Sequence, residues 1–313
     1  MATGVIGTAD SHVSNTSADV FIPELWSDDV IAGYKKNLVM GNLVTKINHT
    51  GKKGDSLHIP VPTRGSASAK ATETQVTVQA DVETKVTVSI DKHYEYSRII
   101  EDITSVQAID SYRAFYTDDA GYALATQVDD DIWALVEGLQ GGTVGGSGAA
   151  AWEKAVIGSD GTTLYTGGSP NQAALADAGI RKMIQTLDDD DVPQDNRVLV
   201  VPPVTRNTLM GIDRFTEQAF VGEVGGGNTI RNGKIGDVYG IEVFVSSNCP
   251  AISTTGRVGA MLHKDALVFV EQMGVRSQSQ YKQEWLGDLF TADTIYGVGE
   301  LRDNAGVAFV VPA

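Results

Sequence analysis

The chain has 313 residues, 42% of them hydrophobic, which is enough apolar surface for one large or two moderate domains with a real core. A formal net charge of −16 argues against tight wrapping of nucleic acid, because neutralising phosphates requires clustered Lys and Arg. The single cysteine, Cys249, excludes an intrachain disulfide, and the absence of a basic segment leading into an apolar one, or of roughly eighteen consecutive apolar residues, leaves neither a signal peptide nor a membrane span. A reducing cytoplasm is the simplest compartment for such a chain.

Residues 1 to 21 are dominated by Ala, Gly, Ser, Thr and Asp and read as a flexible arm, with too little apolar surface to offset the entropy of ordering. A helix is expected from Pro23, since proline suits the first helical position, and Trp26, Val30, Tyr34 and Leu38 then recur on one face. That stripe must bury against its own core or against a neighbour. From Lys52 to Asp91 the pattern becomes strand-like, with Leu57 and Ile59, then Val76, Val78, Val82, Val86, Val88 and Ile90 alternating with polar residues. The expectation is a long β-hairpin with a polar tip. A two-stranded ribbon is marginal alone in water, so it either lies on a partner surface or folds into a larger sheet of its own chain.

Between Ile103 and Leu139 apolar residues return at helical spacing through Val106, Ile109, Tyr112, Tyr116, Ala120, Ala123, Val128, Ile132 and Leu135, with no proline between them. A helix of that length spans roughly 50 Å, about twice what a compact domain needs. It lacks a sustained heptad for a coiled coil and carries too many charges for a membrane, which leaves an elongated scaffold. Gly141, Gly142, Gly145, Gly146 and Gly148 mark a flexible break, and Trp152 to Tyr165 suits a small hairpin. A boundary is expected near residue 170.

From Asn171 a helix carries Leu175, Ile180, Ile184 and Leu187 into an acidic turn at Asp188 to Asp191, which Pro193 closes. Val198-Leu-Val-Val201 is a short apolar run suited to a strand buried on both faces, and Pro202-Pro203 ends it and starts a second helix through Leu209 and Met210. Gly222 to Gly227 reads as a mobile loop and Ile241 to Val245 as a strand. Ala266 to Glu271, Phe290 to Gly299 and Gly306 to Val311 are strand-like as well.

Three segments taken in order, Pro23-Glu-Leu-Trp26, Leu187 to Pro203 and Gly233-Lys-Ile-Gly-Asp-Val-Tyr-Gly240, resemble tailed-phage major capsid proteins of the Hong Kong 97 type, and Glu101-Asp102-Ile103 with Gln107 match that family's pattern at the start of the long helix. The resemblance covers nearly the whole chain. It implies an α+β fold with an N-terminal arm and helix (1–50), an extended β-hairpin loop (51–92), a peripheral domain with a long spine helix (93–170 and 265–313) and an axial domain (171–264). The implied function is a major capsid protein that self-assembles into pentamers and hexamers of an icosahedral head, enclosing double-stranded DNA without sequence-specific binding. The implied partners are further copies of the chain, a separate scaffolding protein, a portal and a decoration protein, with the virion capsid as location and the host bacterial cytoplasm as the place of assembly. Contacts between subunits are expected at Trp26, Val30, Tyr34 and Leu38 of the arm and at Arg64 and Lys70 of the ribbon. An encapsulin-like nanocompartment shares the implied fold, and an acidic cytosolic enzyme using the Asp188 to Asp191 turn is the alternative of another class.

The residues offer no catalytic, cofactor or metal site. The run Asp188 to Asp191 lacks the alternating ligands of a calcium loop and has Pro193 where glycine is needed. Asp129, Asp130 and Asp131 are consecutive on a helix, point in different directions and read as a solvated face. His12, His49, His58, His93 and His263 are scattered with no paired ligands, and Ser147 sits in a glycine-rich stretch without a base. Lysine crosslinking, known in some capsid proteins, is not expected at Lys52, Lys53 or Lys70, because nothing supplies a desolvated amine with a carboxylate beside it.

Overall fold

A computed structural model describes residues 38–61, 65–76, 78, 84–103, 112–212, 237–252 and 256–313. The predicted helix carrying Trp26, Val30 and Tyr34, the ribbon residue Arg64 and the stretch 222–227 lie outside the described residues. In chain order the elements are α1 (Met40–Leu43), β1 (Thr45–Asn48), β2 (Ser56–Val61), β3 (Thr84–Ser89), β4 (Lys92–Glu101), α2 (Tyr112–Val136), β5 (Val156–Ile157), α3 (Asp177–Asp189), β6 (Arg197–Val201), α4 (Pro203–Met210), β7 (Asp237–Val238), β8 (Ile241–Val245), β9 (Ala251–Ile252), β10 (Gly256–His263), β11 (Leu267–Lys282), β12 (Gly287–Glu300) and β13 (Gly306–Pro312). They build a seven-stranded sheet in the order β5-β13-β10-β6-β8-β7 with β9 beside β10, a four-stranded sheet β1-β11-β12-β4, and a two-stranded ribbon β2-β3.

The seven-stranded sheet is covered on both faces, and the period of two along its strands decides which residue goes where. On β6, Val198 and Val200 pack with Ile132, Trp133, Val136 and Leu139 at the end of α2. Leu199 and Val201 turn to the other face and meet Ile180, Met183 and Leu187 of α3 and Leu209 of α4. All five residues of β6 are buried, as the apolar run requires. Phe309 of β13 fills the space over Gly259 of β10, where a Cβ would stand 2.2 Å from the ring. The acidic turn is held from below by Arg197, whose guanidinium pairs with Asp188 at 2.7 Å and donates to the Pro193 carbonyl at 2.9 Å. Tyr239 and Gly240, both at positive φ, make the two-residue turn between β7 and β8, and the Tyr239 hydroxyl donates to Asp177 at the start of α3.

Among the described residues, helix covers part of one face of the four-stranded sheet. Ala120 and Leu124 of α2 meet Tyr94, Tyr96, Phe290 and Ala292. The spine helix therefore spends its first half on one sheet and its last turns in the core of the other.

Several expectations are corrected. The long helix is described from Tyr112 to Val136, about 37 Å at the α-helical rise, with Val106 and Ile109 outside the described residues, and its end falls before Leu139, where Gln140 and Gly141 take positive φ. The glycine-rich stretch after it is pinned: the Glu137 carboxylate accepts from Gly145 N at 2.7 Å and from Trp152 N at 3.0 Å. Gly146 permits this closure, since a Cβ there would meet the Ala150 carbonyl at 2.3 Å. Trp152 to Tyr165 does make the small hairpin expected, with Tyr165 N donating to the Ala155 carbonyl at 2.7 Å, Ile157 N to the Thr163 carbonyl at 2.8 Å and an antiparallel bridge from Val156 to Leu164, while its short strand β5 also runs parallel to β13. The helix expected from Asn171 starts at Asp177, because Ala176 is still extended. Strand β13, expected beside the spine helix with β11 and β12, lies instead in the seven-stranded sheet between β5 and β10. Its residues Val307 to Val311 are all buried, and only the doubly covered sheet offers two dry faces.

Candidate functional site

Among the described residues there is no group of three or more His, Cys, Asp or Glu placed to hold a metal ion. Cys249 is buried and its thiol is pushed up to about 12, chiefly by desolvation, so it is no nucleophile at neutral pH. His58 meets Thr87 at 3.0 Å across the ribbon and His93 meets Asp293 at 3.3 Å across β4 and β12. Surfaces, and one buried cluster, are what the chain presents instead.

The first surface is the ribbon. Leu57, Ile59 and Val86 stack with buried Val88 and Ile90 on one face and pack on Val268, Val270 and Ile295 of the four-stranded sheet. Two glycines of β12 let the ribbon lie this close: a Cβ on Gly299 would meet Val88 at 2.8 Å, and one on Gly297 the Ser89 carbonyl at 2.4 Å. The base of the ribbon thus rests on its own chain. Residues 65–76 beyond it are exposed throughout, Lys70 included, and Val76 presents its side chain to solvent. Leu38 is partly buried just ahead of α1 and is the one arm residue among the described ones.

The second surface is the far end of the four-stranded sheet. Strand β1 pairs with β11 from Val268 to Glu271, and from Gln272 to Lys282 no strand among the described residues pairs with that edge of β11. At the turn into β12, Trp285 and Leu286 are 64% and 65% exposed, and Ile103, Ile99 and Tyr281 stand exposed around the same end. Leu286 sits at φ 45, a conformation that costs a branched side chain energy, and it is held by Asp102 N donating to its carbonyl at 2.9 Å. The Tyr281 hydroxyl donates to Asp102 at 2.7 Å, tying the turn to the end of β4. Exposed apolar side chains thus gather at this end of the sheet. The sequence carried one signal for it, the pair Trp285-Leu286 in a turn between two strand-like stretches, which the chain-order reading passed over.

The buried cluster lies midway along α2 and corrects the solvated-face expectation for Asp129 to Asp131. Asp129 is 2% exposed. Its Oδ1 accepts from Met40 N at 2.9 Å and its Oδ2 from Asn248 Nδ2 at 2.9 Å. Burial raises its carboxyl above the usual range, against the lowering by these two donors. Asn248 Nδ2 also donates to Asp130 Oδ1 at 2.7 Å, so both of its hydrogens end on carboxylates. Asp131 turns the other way, accepting from the Tyr296 hydroxyl at 2.6 Å, with Lys92 Nζ at 3.8 Å. The legible signal was spacing: Asp129, Ile132, Trp133 and Val136 share the buried stripe of the helix.

Residues 94–308, the greater part of the chain, match a family model described as phage capsid protein. No curated protein sequence matches the chain. Among solved structures, one from Mycobacterium phage Che8 is similar at 24% identity over 92% of this chain and 97% of its own, with a TM-score of 0.73. The capsid of cyanophage P-SCSP1u is similar at 18% identity over 99% and 98%, with a TM-score of 0.73. The capsid of cyanophage Pam1 follows at 14% identity over 98% and 99%, with a TM-score of 0.71.

Proposed function

The chain belongs to the phage capsid protein family and is a shell protein of the Hong Kong 97 fold, and from that premise we propose that its copies close into pentamers and hexamers of an icosahedral head around the double-stranded DNA of a tailed phage. Binding, not turnover, is its mechanism. The observation that carries the proposal is the contrast between a seven-stranded sheet dry on both faces and a four-stranded sheet that ends in exposed Trp285, Leu286 and Ile103. In this assignment the seven-stranded sheet with α3 and α4 is the axial domain, the four-stranded sheet with the spine helix is the peripheral domain, and β13 crosses from the second to the first.

Contacts between subunits are assigned to three places. Trp26, Val30, Tyr34 and Leu38 of the N-terminal arm reach a neighbour, residues 62–83 of the ribbon with Arg64 and Lys70 lie over the adjacent subunit, and the Trp285-Leu286 turn meets another copy. Aromatic and aliphatic anchors seated in a partner supply most of the energy of such contacts. The net charge of −16 suits a container wall that repels its DNA cargo enough to release it. A separate scaffolding protein and a portal are the further partners, and assembly takes place in the host cytoplasm.

Negative-stain electron microscopy of the purified protein, with sedimentation of the same sample, tests this. Closed shells or tubes with hexameric lattices, containing or able to take up DNA, are expected, with or without added scaffolding protein. Shells that copurify with an enzyme instead of DNA would establish a nanocompartment. Uniform small particles that scaffolding protein leaves unchanged would overturn the assignment.

A further inference from the structure

The consecutive aspartates Asp129, Asp130 and Asp131 of α2 reach three different parts of the chain. Asp129 holds the backbone where the N-terminal residues arrive, at Met40. Asp129 and Asp130 together hold Asn248 in the loop after β8, on the seven-stranded sheet. Asp131 holds Tyr296 of β12, on the four-stranded sheet. The loop is itself organised, since Asn248 N donates to Ser246 Oγ at 3.1 Å and Arg257 Nη1 donates to the Cys249 carbonyl at 3.0 Å.

A buried carboxylate keeps its charge only while its donors stay in place, and losing one of them leaves the desolvation cost uncompensated. Met40 N and Asn248 Nδ2 donate to different oxygens of the same carboxyl group, with Gly41 N donating beside Met40, so loosening either side leaves the buried carboxyl with less compensation and weakens the hold on the other. We propose that Asp129, with Asp130, is a mechanical relay: it couples the seating of the N-terminal segment at Met40 to the seating of the Ser246–Cys249 loop, so that displacing either one releases the other. A pull on residues 1–37 would then be felt in the loop beside β8, while the Asp131 contact to Tyr296 keeps the helix fixed to the four-stranded sheet. The relay is a property of the single subunit and does not depend on the shell assignment.

Hydrogen exchange of the full chain, read by mass spectrometry over peptides covering Met40 to Leu43 and Ser246 to Cys249, is the test. Asn248→Ala removes two charge-assisted bonds more than two hundred positions along the sequence from Met40. It is expected to raise exchange at Met40 and Gly41 by about tenfold or more, the size of losing one such bond. Asp129→Asn is expected to raise exchange at both segments, because its amide presents a donor where Asn248 needs an acceptor. Tyr296→Phe, which removes the Asp131 partner on the opposite side, is expected to leave both unchanged. Asn248→Ser, a milder truncation, serves in place of Asn248→Ala if circular dichroism shows the latter to be unfolded. Unchanged exchange at Met40 in a folded Asn248 variant, or an equal rise in Tyr296→Phe, would overturn the proposal.

Discussion

The seven-stranded and the four-stranded sheet share the spine helix and differ in what closes them. In the first, alternate residues of β6 find partners above and below, Val198 and Val200 toward α2, Leu199 and Val201 toward α3 and α4. In the second, helix covers the stretch around Ala292, the ribbon base covers Val268 and Val270, and the strands then run on to an apolar end with no cover from the described residues. One region is finished by its own chain, and in the proposed assignment the other is finished by a second copy. Stability and assembly are therefore separable by mutation.

The deepest break is on the finished side. Phe309→Ala empties the space above Gly259 and is expected to cost roughly 3–5 kcal/mol of folding stability, measured by chemical denaturation of the subunit. On the open side the sign of the experiment reverses. Trp285→Ser with Leu286→Ser is expected to leave the denaturation midpoint within about 0.5 kcal/mol of the parent, while weakening shell formation by about 2 kcal/mol or more per contact, as read from the critical concentration for assembly. Gly299→Ala sharpens the boundary between the two: it pushes Val88 off the sheet and is expected to cost about 1–3 kcal/mol while making the ribbon strands more open to protease.

Two charge predictions are smaller. Glu300 is pushed up to about 7 by burial and by Asp303 beside it, so the folded chain keeps a proton that the unfolded chain releases near 4.5. Stability is then lost as the pH rises from about 4.5 to about 7, and Glu300→Gln is expected to flatten that slope in a pH series of thermal melts. Arg276 grips Asp293 with two bonds of 3.0 and 2.7 Å and holds its carboxyl below the usual range. That contribution is present above the ordinary aspartate range and fades as the pH falls through the lowered value. Arg276 is largely in solvent, so Arg276→Ala is expected to give the smallest midpoint change of the series and to lose even that in strong acid.

Where one rule governs a segment, the sequence was legible. The run Val198 to Val201 had to be a strand buried on both faces, and Pro203 had to start a helix; the strand is found one residue longer, from Arg197, and the helix starts at Pro203. The Ile241–Val245 strand and the hairpin of the ribbon, built on Leu57, Ile59, Val86 and Val88, followed from alternation in the same way. What the sequence hid was decided by distant partners. Asp129 reads as a polar residue on an acidic run until Met40 and Asn248 close on it from 89 and 119 positions away. The strand β13 looks alike for either sheet, and only its place between β5 and β10 assigns it. The glycines after α2 signal flexibility by composition, yet the Glu137 carboxylate ties them down. Trp285 and Leu286 escaped for the opposite reason, since apolar residues in a turn conform to no pattern for an element and acquire meaning only when seen uncovered.

Sedimentation velocity of the wild-type chain and the Trp285→Ser, Leu286→Ser chain, run side by side with their thermal melts, tests the central claim most directly. Matching melts with rapidly sedimenting shells for the wild type and slow subunits for the variant are the predicted result. Shells of equal size and stability from both chains, or a variant that melts well below the wild type, would contradict the division of this molecule into a region that folds for itself and a region that waits for a neighbour.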